Sequence, residues 1–402
     1  MNKRLIALAV AGALAAPLAA SAEGTHVTIF GRLQAEYATV DVDGFNAQSA
    51  VSDDALQSRW GLQIAEDLGA GLRAIGRIEY ALNPGGDVHS TAREQWVGLG
   101  GDQWGEIKFG RVQSVLRDFA GGHNIDPFAD TSLHATGSGG LMVSSANGYG
   151  SGDHGFVNSA VRYDSPVVEG FSVAGLLMPG DADKNDPVAR AVLGDSEYSG
   201  GENGEWDFQI GAKYSGQFDI VGVDVFGAYS RDNVSILQKS LNLGNKDEQI
   251  WRGGAIFSVA DFRLRGQFDY VINANPLGGA ASCTNAAAFG DITAPGNNGR
   301  AQCNSAMNAN GNGYLWILGA DYTIGNTQLI AQGGMTRAKN NVGEAFGGFR
   351  RNVENITVGV IHNLSRRSSL FGGYQRVWVD DKTPLVADSD RNVYSVGVRH
   401  DF

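Results

Sequence analysis

Apolar and polar residues alternate in sixteen short stretches of this chain, and the stretches are joined by short and long connections in turn. Across 206–214, Trp206, Phe208, Ile210, Ala212 and Tyr214 share one face, and Asp207, Gln209, Gly211 and Lys213 share the other. Across 262–270, Phe262, Leu264, Phe268 and Tyr270 oppose Arg263, Arg265, Gln267 and Asp269. A period of two means strand, because successive side chains leave a pleated backbone on opposite sides. Segments of about nine to eleven residues suit tilted strands that cross a bilayer. Apolar faces then meet lipid, and polar faces line an aqueous interior. Past the N-terminus no apolar run reaches about eighteen residues, which excludes helical spans.

The segments run over 26–39, 56–66, 71–82, 92–100, 105–111, 156–164, 170–178 and 206–214, then 220–230, 248–258, 262–272, 313–323, 327–337, 352–362, 369–379 and 391–402. Seven short turns alternate with eight long loops, the rhythm of an even-stranded antiparallel barrel with both termini on the short-turn side. The expected fold class is all-β, a 16-stranded antiparallel transmembrane β-barrel. Glycine supports it: 57 of 402 residues is twice the usual share of about 7 %, and glycine suits tight turns and crowded walls. Tyr37, Trp60, Tyr80, Trp96, Trp206, Tyr214, Trp251, Tyr270, Tyr314, Tyr322, Trp378 and Tyr394 lie near segment ends. Amphipathic rings prefer the headgroup level, so these predict two aromatic girdles. The last segment ends on Phe402 and has to pair with the first, since only closure satisfies every backbone group in lipid.

Residues 1–22 read as a cleaved secretory signal: Lys3 and Arg4, an apolar stretch from Leu5 to Leu18, then Ala20-Ser21-Ala22. The barrel domain is then 23–402. Removal of the signal leaves 29 basic against 43 acidic residues, a net charge of −14. An acidic surface disfavours nucleic acid as a partner. Cys283 and Cys303 share one long polar stretch, and a disulfide between them suits an oxidising compartment.

Other motifs lose their meaning in context. Gly150, Gly152 and Gly155 form a G-x-G-x-x-G, but it runs into a strand where a dinucleotide site needs a helix. Asp181 to Asp186 lacks the glycine and the glutamate of a calcium loop, as position six is Asp186 and position twelve Val192. No G-x-S-x-G or H-E-x-x-H occurs, and the seven histidines are scattered. The expectation is therefore a non-enzyme with no cofactor and no metal site.

The residues that run through the strands resemble a known group, the general trimeric porins of the Gram-negative outer membrane, of the beta-proteobacterial type. The resemblance is carried by Val27-Thr28-Ile29-Phe30-Gly31-Arg32, Ser58-Arg59-Trp60-Gly61-Leu62 with Glu66-Asp67-Leu68-Gly69, Trp96-Val97-Gly98-Leu99, Phe109-Gly110-Arg111, Asn158-Ser159-Ala160-Val161-Arg162-Tyr163 with Ser165-Pro166, and Gly397-Val398-Arg399-His400-Asp401-Phe402. It implies a homotrimer in outer-membrane lipid and lipopolysaccharide, through which small hydrophilic solutes and ions diffuse. It also implies that Phe402 helps the outer-membrane assembly machinery recognise the protein. Finally, it implies that the loop at 112–155, after the fifth strand, folds into the lumen as a constriction.

Counting by twos places Arg32, Arg59, Arg73, Arg77, Arg93 and Arg162 on polar faces, with Arg111 at the loop entrance. A lipid-facing arginine costs roughly 2–4 kcal/mol at mid-membrane, so the lumen is the expected side. The loop acids Asp118, Asp126 and Asp130 then oppose a basic wall, and opposed charges set ion preference. Two readings stay open for each arginine: a pore-lining charge, or a partner for Glu79, Glu94 or loop acids. Wall arginines favour anions, whereas the net charge favours cations at the mouth. Screening within about 8–10 Å gives the constriction the larger say, and the expectation is weak anion preference. A channel with a saturable site for phosphate, a sugar or an organic acid is the alternative, and loops serving as an adhesin or phage receptor are compatible with either.

Overall fold

The computed structural model describes residues 24–44, 46–52, 58–82, 92–135, 155–179, 206–233, 246–274, 311–340, 349–381 and 390–402. The signal segment 1–22, Cys283, Cys303, the acidic run 181–186 and the distal loop part 136–154 lie outside the described residues.

Seventeen strands form one antiparallel sheet: β1 His26–Val42, β2 Gln48–Ser52, β3 Arg59–Gly69, β4 Leu72–Ala81, β5 Ala92–Gly101, β6 Gly105–Gln113, β7 Phe156–Asp164, β8 Phe171–Met178, β9 Asp207–Phe218, β10 Val221–Asp232, β11 Glu248–Val259, β12 Phe262–Ala274, β13 Gly311–Ile324, β14 Thr327–Asn340, β15 Phe349–Asn363, β16 Ser368–Asp381 and β17 Arg391–Asp401. β2 and β3 occupy the same edge of β1, at 36–40 and 26–32, so seventeen segments fill sixteen barrel positions. Ser58 repairs the ladder between them: its hydroxyl accepts from Gln34 N at 2.9 Å and donates to Gln34 O at 3.2 Å. β17 pairs with β1 from Arg32↔Asp401 to Val42↔Arg391 and closes the sheet. Beyond that ladder the backbones of Phe402 and Gly31 exchange two hydrogen bonds of 3.0 Å. The ring of Phe402 fills the space a side chain at position 31 would need.

The solvent pattern is that of a globular protein turned inside out. Ile210, Trp251, Phe268, Trp316, Leu318 and Val396 are exposed on the outer face, while Gln209, Asp269, Gln332, Thr357 and Gln375 are buried inside. Lipid stabilises such an outer surface, and water or protein must satisfy the inner one. Tyr37, Trp60, Trp206, Trp251, Tyr270, Tyr322, Trp378 and Tyr394 are exposed at their strands, as the girdle expectation requires. Trp96 is a correction. Its indole N–H donates to Glu94 at 2.8 Å and Lys108 stacks on its ring, so it faces the interior.

One irregularity matters for the site. The register between β4 and β5 shifts between Ile78 and Tyr80, with Ile78↔Gln95 followed by Tyr80↔Ala92. A bulge carries an extra residue, and here it lets Arg93 and Glu94 both turn inward.

Candidate functional site

After β6 the chain leaves the sheet with Ser114 capping a single helical turn, α1, Val115–Asp118. The Ser114 hydroxyl accepts from Arg117 N, the usual satisfaction of a free amide at a helix start. A 3-10 turn follows at Gly122–Ile125. From there to Ala135 the loop runs along the inner wall, from β9 round to β1. Val115 N donates to Gln209 on β9 at 2.7 Å, and Gly122 N donates to Gln267 on β12 at 2.9 Å. Gln332 on β14 donates to Asp126 at 2.7 Å, and Gln375 on β16 to Leu133 O at 2.9 Å. Ser132 N reaches the buried carboxylate of Glu36 on β1 at 3.1 Å.

Apolar contacts follow the same path. Leu116, Ala120, Ile125 and Ala135 pack with Phe226, Ile250, Leu315, Val353 and Val377. Phe128 and Leu133 pack with Val40, Ile330 and Val393. The wall makes room for them with glycine. A Cβ at Gly359 would lie 2.7 Å from the Phe128 ring, and one at Gly373 would lie 3.0 Å from Leu133.

The wall of β3 to β7 faces the loop across the interior and carries most of the predicted arginines. Arg59, Arg77 and Arg93 share one carboxylate, Glu79: Arg93 at 2.5 Å, Arg59 at 3.8 Å and Arg77 in close contact. Arg77 also meets Glu94 at 3.2 Å and stacks on Phe30. Arg32 stands directly across from Arg59 in the β1–β3 register. Like charges side by side across strands cost stability. Arg32 is offset by Asp130 at 2.8 Å and Asp401 at 2.6 Å. The guanidiniums lie nearer the water than their partner acid. The side chains of Arg59 and Arg77 are 21 % and 24 % exposed, that of Glu79 only 1 %.

The structure separates the remaining candidates. Arg162 joins the loop to the wall, at 2.9 Å from Asp118 and 2.8 Å from Asp164. Asp130, with φ of 74°, meets Arg32, so these two loop acids do face arginines. Asp126 does not. It accepts from Phe128 N at 2.9 Å, Ala135 N at 2.6 Å and Gln332, and so folds the loop onto the opposite wall. Arg73 sits at the short-turn end of β4, exposed and 3.1 Å from Asp102, away from the cluster. Arg111 pairs in register with the exposed Gln95, donates to Ala92 O, Phe156 O and Asn158, and stacks on Phe156, the ring that Arg93 and Arg117 also approach.

Three groups were not among the predicted site residues. Arg117, within α1, is buried, 3.1 Å from Gln113 and stacked on Phe156. Burial and the neighbouring charge of Arg93 pull its pKa down to about 10, which leaves it protonated at neutral pH. Arg252 and Arg265 lie under the loop on β11 and β12. Counting by twos puts both on polar faces, but nothing in the pattern tells a water-facing position from a loop-covered one.

Comparison with known proteins agrees with the geometry. The sequence model of one family, described as Gram-negative porin, matches residues 7–383. An outer membrane porin of Bordetella pertussis is 25 % identical over the whole of this chain and 91 % of its own length. Major outer membrane protein P.IB of Neisseria meningitidis serogroup B is 32 % identical over 43 % of this chain and 48 % of its own length. Among solved structures, the anion-selective porin from Comamonas acidovorans superposes with a TM-score of 0.61 at 17 % identity, covering 94 % of this chain and all of that one.

Proposed function

Since the chain belongs to the Gram-negative porin family, a multi-pass channel of the outer membrane, we propose that its loop 112–155 forms the constriction and that the arginines of β1, β3, β4 and β5 give the pore a weak anion preference. Arg32, Arg59, Arg77 and Arg93 are the wall charges of this reading, with Asp118 and Asp130 opposite. Arg162 ties the two sides together. The observation that carries it is the layering of charge, with guanidiniums towards the water and Glu79 beneath them. Arginine keeps its charge at any physiological pH, so the wall is a fixed field. The acidic extracellular surface acts at longer range and is screened within about 8–10 Å.

In this reading small hydrophilic solutes and ions diffuse passively. The protein functions as a homotrimer in outer-membrane lipid and lipopolysaccharide, its signal segment 1–22 is removed, and the assembly machinery reads Phe402. The exposed apolar outer face supports burial in lipid or against further copies. The test is purified, refolded protein in a planar bilayer under a KCl gradient. Stepwise conductance with an anion-side reversal potential is expected. A cation-side potential would overturn the proposed preference, and an absence of steps would overturn the pore.

A further inference from the structure

A constriction can select only if its loop stays where it is. Resting on that reading of the loop, we propose that Arg252 and Arg265 are positioning residues, two buried guanidinium clamps that fix the loop against the wall and so set the spacing between loop acids and wall arginines. Neither can act on an ion directly, because the side chains are 0 % and 2 % exposed. Each is anchored first to its own wall. Arg252 on β11 meets Asp269 on β12 through two bonds, of 2.8 and 2.6 Å. Arg265 on β12 meets Asp321 on β13 at 2.8 Å. The bidentate pair with Asp269 holds the Arg252 guanidinium in one orientation and leaves its remaining donors aimed; Arg265 is held by charge, with no hydrogen bond through Nε or Nη2 among the described residues.

Those donors are aimed at the loop backbone. Arg252 Nη1 donates to Leu116 O at 2.5 Å and Ala120 O at 3.2 Å, and Arg265 Nη1 donates to Ile125 O at 2.5 Å. Carbonyls at the end of a helical turn have no partner within it and carry partial negative charge, so a cation suits them. Gln267, lying between the clamps on β12, takes the amide of Gly122. Its side-chain oxygen and the Phe226 ring occupy the space that a Cβ at Gly121, φ 72°, would need. The segment 116–125 is thus strapped by its backbone, at carbonyls and amide alike. Asp118 lies inside the strapped segment, opposite Arg162. Coulomb interaction falls with distance, so a loop freed by a few ångströms weakens the transverse field that an ion meets.

Deleting Arg252 alone would bury Asp269 without its partner, which endangers folding. The informative variant replaces both, Arg252→Met with Asp269→Leu, in the full-length protein in planar bilayers. It is compared with wild type, Arg252→Lys and Arg59→Gln/Arg77→Gln. A folded double variant is expected to show raised conductance, noisier open-channel current and a reversal potential shifted towards zero. Arg252→Lys, which keeps the charge but loses the planar fork, is expected to fall between it and wild type. If the double variant does not fold, Arg252→Lys decides: extra noise supports the clamp, and a wild-type trace overturns it. A folded double variant with wild-type conductance, noise and reversal potential also overturns the clamp, while a shift in Arg59→Gln/Arg77→Gln keeps the constriction. Should that last variant leave the reversal potential unchanged, the constriction reading falls and takes the clamp with it.

Discussion

The inner wall has two halves built on the same alternating strands, and they differ in what their inward positions must satisfy. On β3 to β7 those positions hold a charged layer in which water reaches Arg59 and Arg77, while Glu79, Arg93, Glu94 and Arg162 are buried beneath them. From β9 round to β1 they hold Gln209, Gln267, Gln332 and Gln375, with buried pairs such as Arg252–Asp269, and these bind a loop instead. Amides satisfy backbone donors and acceptors without adding net charge, so a segment can lie flat on them. Charge that meets water can act on a passing ion, whereas charge sealed under a loop can only hold it. Polarity on an inner wall is therefore not one property but two.

The largest expected effect lies on the loop-covered half. Asp269→Leu leaves Arg252 buried without its carboxylate and is expected to cost about 3–5 kcal/mol, read from urea unfolding in lipid vesicles. An unfolding midpoint like that of wild type would mean that the pair is wetter than its burial shows.

How far this division was legible in the sequence depends on the residue. The sixteen crossings were, because a two-residue period survives any uncertainty at strand ends. The short β2, Gln48–Ser52, was not, since it prolongs the line of β3 after a break. Trp96 read as girdle from its place near a segment end, a criterion that does not tell the two faces apart, and the structure turns it inward just past the bulge at Ile78/Tyr80. Arg73 counted correctly as polar-facing, but alternation gives the face and not the depth, and its depth puts it at the short turn. Asp126 and Asp130 looked equivalent as loop acids. Only the loop's path sends one to Gln332 and the other to Arg32. The glutamines that carry the loop had no mark to separate them from water-facing amides.

Glycine sharpens the comparison next. Gly359→Ala pushes a methyl towards Phe128 and the Gly372 carbonyl, at 2.7 and 2.5 Å, and is expected to cost about 1–3 kcal/mol. Gly100→Ala, on the inward face of β5 in the bare half, meets nothing closer than Glu106 Cγ at 3.6 Å and is expected to stay within about 0.5 kcal/mol. Equal costs in the same unfolding experiment would show that the loop does not press on β15.

Smaller still in stability is Arg59→Gln, within about 1 kcal/mol, because Glu79 keeps Arg77 and Arg93 as partners. Its effect belongs to selectivity, with the reversal potential moving towards cations. Arg73→Gln is the smallest. It loses only an exposed pair with Asp102 and is expected to change stability by less than about 0.5 kcal/mol and selectivity not at all. A selectivity shift as large as that of Arg59→Gln would mean that depth along the pore does not matter.

The most direct test of the bare wall's role is the reversal potential of Arg59→Gln/Arg77→Gln against wild type in one KCl gradient. A displacement towards the cation side, with conductance steps retained, is the expected result. An unchanged potential would contradict the assignment of ion preference to the guanidiniums of β3 and β4.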